Sequence, residues 1–240
     1  MATNTTNRRE FLKKAGIVGA AVTLGGLAEP VMGVVPAFAA TGEPTTEIIN
    51  YALTAEQLAT TFYYTALHHG RTLPMTNNQD NQPYIRAALD EEFYHATLLS
   101  NAGAVSVAGI HPKFYFPNGT FANDSTFVAV LEALETAFIE AYLAGIYQFA
   151  TNGRNDLAVL AGQIMGIEAE HRVLGRVILN KSVPNNLSLE QAPPSGSTVA
   201  SVAKALVPFL SKGKHTDGPY ALPTDQQIVS AVAGVRTPNN

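Results

Sequence analysis

Hydrophobic residues return at helical spacing along four stretches of the chain, about residues 46–69, 83–102, 125–151 and 156–179, each close to or above twenty residues long. Polar starts precede three of them: Thr45 or Thr46, then Asn123 or Asp124, then Asn155-Asp156. The third and fourth stretches are separated only by Asn152-Gly153-Arg154-Asn155, which makes them antiparallel neighbours. The first connection, 69–82, holds Arg71, Pro74, Asn77, Asn78, Asp80 and Asn81 and reads as a polar surface loop. The second, 103–123, contains Gly109, His111, Pro112, Pro117 and Gly119 and cannot be helical throughout. So long a link is unusual inside a compact domain, but a helical bundle with one long crossover requires it. The pattern therefore predicts an all-α fold: a four-helix bundle with the crossover between helices two and three.

After Asn180 the character changes. Residues 181–197 include Pro184, Pro193, Pro194 and Gly196 and read as a linker, followed by short apolar segments at Val199–Leu210 and Thr224–Val235. In the first of these Val199, Val202, Leu206, Phe209 and Leu210 share one helical face, as expected of a short helix leaning on the bundle. The expected organisation is thus a bundle over 40–182 and a C-terminal extension over 183–240 packed upon it.

The first 39 residues read differently again. Arg8-Arg9 opens a basic start, a moderately apolar Gly/Ala-rich middle follows, and Ala37-Phe38-Ala39 supplies a small-residue cleavage pattern. The expectation is a twin-arginine signal peptide cut after Ala39, and a mature protein in the periplasm, the cell envelope or outside the cell. Gly25, Gly26, Glu29 and Pro30 interrupt the apolar middle, so no permanent membrane span is expected once the signal is removed.

Composition narrows the chemistry. An apolar share of 46% with 14% charged residues suits a globular chain able to bury a full core. The net charge is −4, and no Lys/Arg cluster stands outside the leader, so nucleic acid is not an expected partner. The absence of cysteine excludes disulfides, thiolate metal sites and cysteine nucleophiles.

The candidate chemistry lies in two Glu-x-x-His elements, Glu92 with His95 and Glu168 with His171. A helix turns about 100° per residue, so positions i and i+3 project from one face and can reach one ion. Each element follows a helix that carries a leading glutamate and, seven residues on, a tyrosine: Glu56 with Tyr63, and Glu135 with Tyr142. Two single glutamates and two Glu-x-x-His pairs form the inward donor set of di-iron and di-manganese carboxylate bundles. Oxygen and imidazole donors suit two transition-metal ions, Fe or Mn. The internal repeat also chooses among neighbours. Ile167 occupies the place before His171 that Glu91 occupies before His95, which favours Glu92 as the donor. Glu135 reproduces the offset to tyrosine and Glu132 does not, while Glu140 lies about 140° further round the helix, which favours Glu135 as the donor. Leu89, Phe93 and Ala96 beside the first pair, and Ile164, Ile167 and Leu174 beside the second, set both pairs at the apolar stripe, where charges need partners or a metal. Tyr63 and Tyr142 are candidates to hydrogen-bond donor carboxylates. His68 and His69 read as helix-end cations, and His111 and His215 lie in loops.

The stretches INYALTAEQLATTFYYTAL, DEEFYHATLL, FVAVLEALETAFIEAYLAG and IMGIEAEHRVLGRVIL resemble the ferritin-like di-metal carboxylate proteins, within them the exported ferritin-like group that includes plant desiccation-related proteins. The resemblance covers about residues 46–180. It implies that Glu56, Glu92, His95, Glu135, Glu168 and His171 bind the metals. Many members carry a second glutamate on helix one, where this chain has Ala59 and Thr60. Two functions follow as expectations. The first is an exported protein with a glutamate-bridged di-metal centre that oxidises Fe(II) or handles O₂ or peroxide in stress protection, with Glu92 and Glu168 as bridges and His95 and His171 as terminal ligands. The second is a non-catalytic desiccation or stress scaffold with a vestigial or structural metal site. A homo-oligomer is open in either case, although the extra C-terminal segments argue against a large iron-storing shell.

Overall fold

The structure, a computed structural model, describes residues 42–194 and 197–235; the expected leader lies outside them. Four long helices dominate: α1 (Thr45–Leu67), α2 (Gln82–Asn101), α3 (Asp124–Thr151) and α4 (Asn155–Ile178). The C-terminal part adds α5 (Val199–Val202), a 3-10 turn (Ala203–Leu206), α6 (Val207–Leu210) and α7 (Asp225–Ala231). Among the described residues no helix is long and apolar enough to cross a membrane.

Local chemistry sets several of the boundaries. Asn123 caps α3 by accepting from Thr126 N at 3.0 Å, and Pro83 occupies the first turn of α2, where its missing N–H costs nothing. Thr198 and Thr224 form capping boxes with Ser201 and Gln227 at the starts of α5 and α7. The starts of α1 and α4 differ from expectation, since neither Pro44 nor Arg154 provides a side-chain cap.

The direction of each helix follows from its buried residues, which fall into two apolar clusters. One gathers Leu58 and Phe62 from α1, Ile85 and Leu89 from α2, Phe127 and Leu131 from α3, and Ile178 from α4. The other gathers Ile48 and Leu53, Leu99, Phe149, and Ala161 with Ile164. The start of α1 therefore lies with the ends of α2 and α3 and the start of α4. Helices α2 and α3 run the same way, and the segment between them must travel the length of the bundle, as the crossover reading expects. At Gly175, α4 approaches α3 so closely that a Cβ would stand 2.9 Å from Leu131 Cδ2.

The crossover is more ordered than the sequence suggested. Lys113–Pro117 forms strand β1, paired antiparallel with β2 (Thr216–Ala221) from the C-terminal part. Its alternation sends Phe114 and Phe116 inward, both fully buried. Phe116 joins Phe62, Phe121, Phe209 and Tyr220, while Phe62 stacks on Phe127 with centroids 4.7 Å apart, closing one end of the bundle.

Two connections, expected as a polar surface loop and as a linker, are pinned down. The α1–α2 loop buries Leu73 and Thr76, and Asp124 accepts from Met75 N, Thr76 N and Thr76 Oγ1 at 3.0, 2.8 and 2.7 Å. In the linker after α4, Glu190 takes both 2.8 Å bonds of a bidentate pair with buried Arg172. The C-terminal part is fastened through Glu43. Its buried carboxylate accepts from Val199 N and Ala200 N, both at 2.7 Å, and its backbone N–H donates to Gln148 Oε1 at 2.9 Å.

Glu43→Ala would strand two N–H groups at the start of α5, a loss of about 2 kcal/mol. The expected outcome is a lower unfolding free energy and faster limited proteolysis between residues 181 and 199. Unchanged cleavage in that stretch would contradict the role given to Glu43.

Candidate metal centre

Each long helix carries its chemistry near its middle, between the two apolar clusters. Glu56 on α1, Glu92 and His95 on α2, Glu135 on α3 and Glu168 and His171 on α4 converge there. The four glutamates are 0–2% exposed and the imidazoles 5% and 3%. Periodicity alone explains why they are inward, since every one shares a face with buried leucine, isoleucine or phenylalanine.

The six residues form two overlapping groups among the described residues: Glu56, Glu92, His95 and Glu168, and Glu92, Glu135, Glu168 and His171. Glu92 and Glu168 belong to both. The Nδ1 of His95 lies 3.3 Å from Glu56 Oε2, 3.6 Å from Glu168 Oε1 and 3.9 Å from Glu92 Oε2. The Nδ1 of His171 lies 2.9 Å from Glu92 Oε1, 3.5 Å from Glu168 Oε2 and 3.8 Å from Glu135 Oε1. Each shared carboxylate thus turns one oxygen to each imidazole. Glu56 and Glu135 serve one side each.

The tyrosines complete a reciprocal arrangement. Tyr63 on α1 donates to Glu135 Oε1 on α3 at 2.5 Å, and Tyr142 on α3 donates to Glu56 Oε1 on α1. Burial, and then the charges of Glu135 and Glu56 respectively, push both phenols well above their ordinary value, so both keep the proton they donate. The equal Glu-to-Tyr offset in the sequence is therefore realised as a crossed pair of bonds between the two helices.

Where the repeat chose among neighbours, the geometry agrees on position. Glu140 lies outside the cluster, and Glu132 pairs with Arg176 and Lys181. Glu91 is the residue the sequence reading undervalued. Set aside as a donor, it places Oε2 2.9 Å from Nε2 of His171, on the opposite helix. Its place next to Glu92, about 100° further round α2, was the signal: it points toward α4 rather than into the centre. Ala59 and Thr60 are buried, and Thr60 Oγ1 bonds the backbone oxygen of Glu56.

Whether these residues fit a metal pair is decided by their unpartnered atoms. Glu56 Oε2, both oxygens of Glu92 and of Glu168, Glu135 Oε2 and the two Nδ1 atoms are buried without a hydrogen-bond partner. Buried acceptors left so are costly, and they are the atoms that face one another. Carboxylate oxygens with neutral imidazole nitrogens make a donor set for Fe or Mn. The fit is good.

Electrostatics without a cation is correspondingly strained. Burial, followed by the charges of Glu168 and Glu56, pushes Glu92 well above the usual carboxylate range; burial and then Glu168 do the same to Glu135. Burial and the charge of Glu56 raise Glu168. Burial also acts upward on Glu56, but the charge of His95 beside it overcomes this and leaves that carboxyl below its ordinary value. For His171 burial acts downward, and the neighbouring carboxylates of Glu168, Glu91 and Glu92 outweigh it, leaving the imidazole well above 6.5.

These directions predict a pH dependence. Groups raised above 4.5 in the fold hold protons that the unfolded chain has released, so their stabilising contribution is present at low pH and lost as pH climbs through the raised values. His171 acts in the same sense, its contribution fading above 6.5 as pH passes its raised value, whereas Glu56 opposes it. A divalent cation needs the deprotonated carboxylates and must displace protons. The rise in melting temperature on adding Mn(II) should therefore grow as pH climbs above the ordinary carboxylate value of 4.5, with proton release measurable in weakly buffered calorimetry. Binding without proton release would count against this electrostatic picture.

A family model for the ferritin-like domain matches residues 45–181. No curated protein and no solved structure matches the chain. The matched span begins with α1, ends just beyond α4, and encloses all six converging residues. On that match, and on the mid-helix cluster of glutamates and histidines it contains, the chain belongs to the ferritin-like family.

Proposed function

We propose that the protein holds two transition-metal ions, Fe or Mn, through Glu56, Glu92, His95, Glu135, Glu168 and His171, and uses them to oxidise Fe(II) or to handle O₂ or peroxide in stress protection. The observation that carries this reading is the division of Glu92 and Glu168, each with one oxygen toward His95 and the other toward His171. Two carboxylates so placed serve a pair of ions, not one. When bound, the pair supplies reversible electron transfer to an oxidant. The chain's own residues do the rest. Tyr63 and Tyr142 hold Glu135 and Glu56 in orientation, Glu91 keeps the Nδ1 of His171 turned inward, and the two apolar clusters exclude water.

Handling of dioxygen is supported by an apolar hollow of about 40 Å³ beside the centre. Phe138, Ala141, Tyr142 and Ile164 contribute to its wall, so the ring whose hydroxyl bonds Glu56 also faces a space suited to a small apolar guest. Export rests on the leader: Arg8-Arg9, the apolar middle and Ala37-Phe38-Ala39. The twin-arginine route carries folded protein, which would let the metals be loaded before transport.

Elemental analysis of purified protein should find two ions per chain. Glu92→Ala with Glu168→Ala should abolish loading, because both positions lose donors, while Glu56→Ala should retain one ion. Wild-type protein that purifies metal-free and refuses both Fe(II) and Mn(II) would overturn the reading in favour of a stress-associated scaffold.

For export, Arg8→Lys with Arg9→Lys should leave unprocessed chain in the cytoplasm, whereas wild-type protein from the exported fraction should begin at Ala40. Normal export of the double variant would refute the twin-arginine assignment.

A further inference from the structure

The near-repeat that builds the centre is broken at one place. Glu91, four residues before His95, corresponds to Ile167, four residues before His171. In the fold Glu91 does not serve its own helix's histidine. Its Oε2 lies 2.9 Å from Nε2 of His171 across the bundle, and its side chain is three-quarters buried. His95, by contrast, meets its carboxylates through Nδ1, and the residue in Glu91's corresponding place is a hydrocarbon that accepts no proton. The other paired features of the centre match: one tyrosine-held glutamate, one imidazole Nδ1 and a share of two carboxylates on each side.

We infer that the two ion positions are unequal, and that Glu91 makes the position formed by Glu135 and His171 the tighter one, filled first and held, while the position formed by Glu56 and His95 exchanges. This rests on the di-metal reading. The chemistry is direct. A carboxylate accepting from Nε2–H fixes the tautomer with the Nδ1 lone pair inward, locks the ring plane, makes the imidazole a stronger donor and adds negative charge beyond the ligands. His95 receives none of these from Ile167.

A second observation points the same way. A depression of about 260 Å³ lies between α1 and α2, which contribute Gln57, Thr60, Phe93 and Ala96, and the C-terminal segment that carries Leu222 and Ile228. These residues neighbour Glu56, Glu92 and His95 along the chain, and α1 and α2 are the helices that supply Glu56 and His95. Gln57 Oε1 is buried there without a hydrogen-bond partner. Glu56 and His95 stand on the two helices that line this depression, whereas Glu135 stands on α3 and His171 on α4. An ion that exchanges at one position beside an ion that stays at the other is the arrangement needed if Fe(II) is consumed as substrate.

Calorimetric titration of metal-free protein with Mn(II), followed in parallel by electron paramagnetic resonance, tests this without any activity measurement. Wild type should bind two ions in two resolved steps, with an isolated-ion spectrum after the first and a coupled-pair spectrum after the second. Glu91→Gln keeps size and shape but weakens the outer acceptor, and should lower the first affinity by about 10–100-fold while leaving the second within about twofold. The reciprocal Ile167→Glu should tighten the second step, and in Glu56→Ala the step that survives should be the one Glu91→Gln weakens. Two equal steps in wild type, or equal weakening of both by Glu91→Gln in a protein of unchanged melting temperature, would overturn the inference while leaving the di-metal reading intact. Absence of any Mn(II) binding would instead remove that reading itself.

Discussion

Four carboxylates and two imidazoles held in the middle of a helical bundle, with most of their inward atoms lacking hydrogen bonds, are the constraint around which this molecule is built. Isolated charges in such a place cost several kcal/mol each even after relaxation. A chain that nonetheless spends its core on them needs helices rigid enough to keep the groups together. The two apolar clusters above and below the centre provide that rigidity, each drawing on all four helices. The crossed Tyr63–Glu135 and Tyr142–Glu56 bonds tie α1 to α3, two helices that are not consecutive in the chain.

The topology follows from the same requirement. Bringing two Glu-x-x-His helices face to face, each accompanied by its single-glutamate helix, places two hairpins against one another. With α2 and α3 parallel, the connection must run the length of the bundle. The chain uses that obligatory passage. Phe114 and Phe116 pack inward along it, β1 pairs with β2, and the aromatic group around Phe62 seals one end. The C-terminal part is thereby bound both through the β-ribbon and through Glu43 at the start of α5. Closure at both places shields the apolar walls that keep water from the carboxylates.

Much of this was legible in the sequence because helical periodicity and an internal repeat are strong, local signals. The four helices begin and end within two residues of the expected limits, and the repeat pointed to Glu92 over Glu91 and helical phase to Glu135 over Glu140, the two that join the cluster. The equal Glu-to-Tyr offsets anticipated hydrogen bonds between helices that the chain itself does not juxtapose. What escaped was non-local. The alternation in Lys113–Pro117 is too short to announce a strand without β2, which lies about a hundred residues on. The loop at 69–82 is polar in composition, yet Asp124, far along the chain, organises it. Along its own helix Glu91 offers only His95 as a histidine partner, whereas His171, which it meets, stands on another. A pattern read along one helix does not show which neighbour a side chain will meet.

Anomalous diffraction from crystals grown with Mn(II) would locate the ions themselves. Two peaks per chain are expected in the bundle interior, one within bonding distance of His95 Nδ1 and Glu56, the other of His171 Nδ1 and Glu135, with Glu92 and Glu168 reaching both. Peaks confined to surface carboxylates, or a core in which the six side chains pair only with one another, would contradict the di-metal reading.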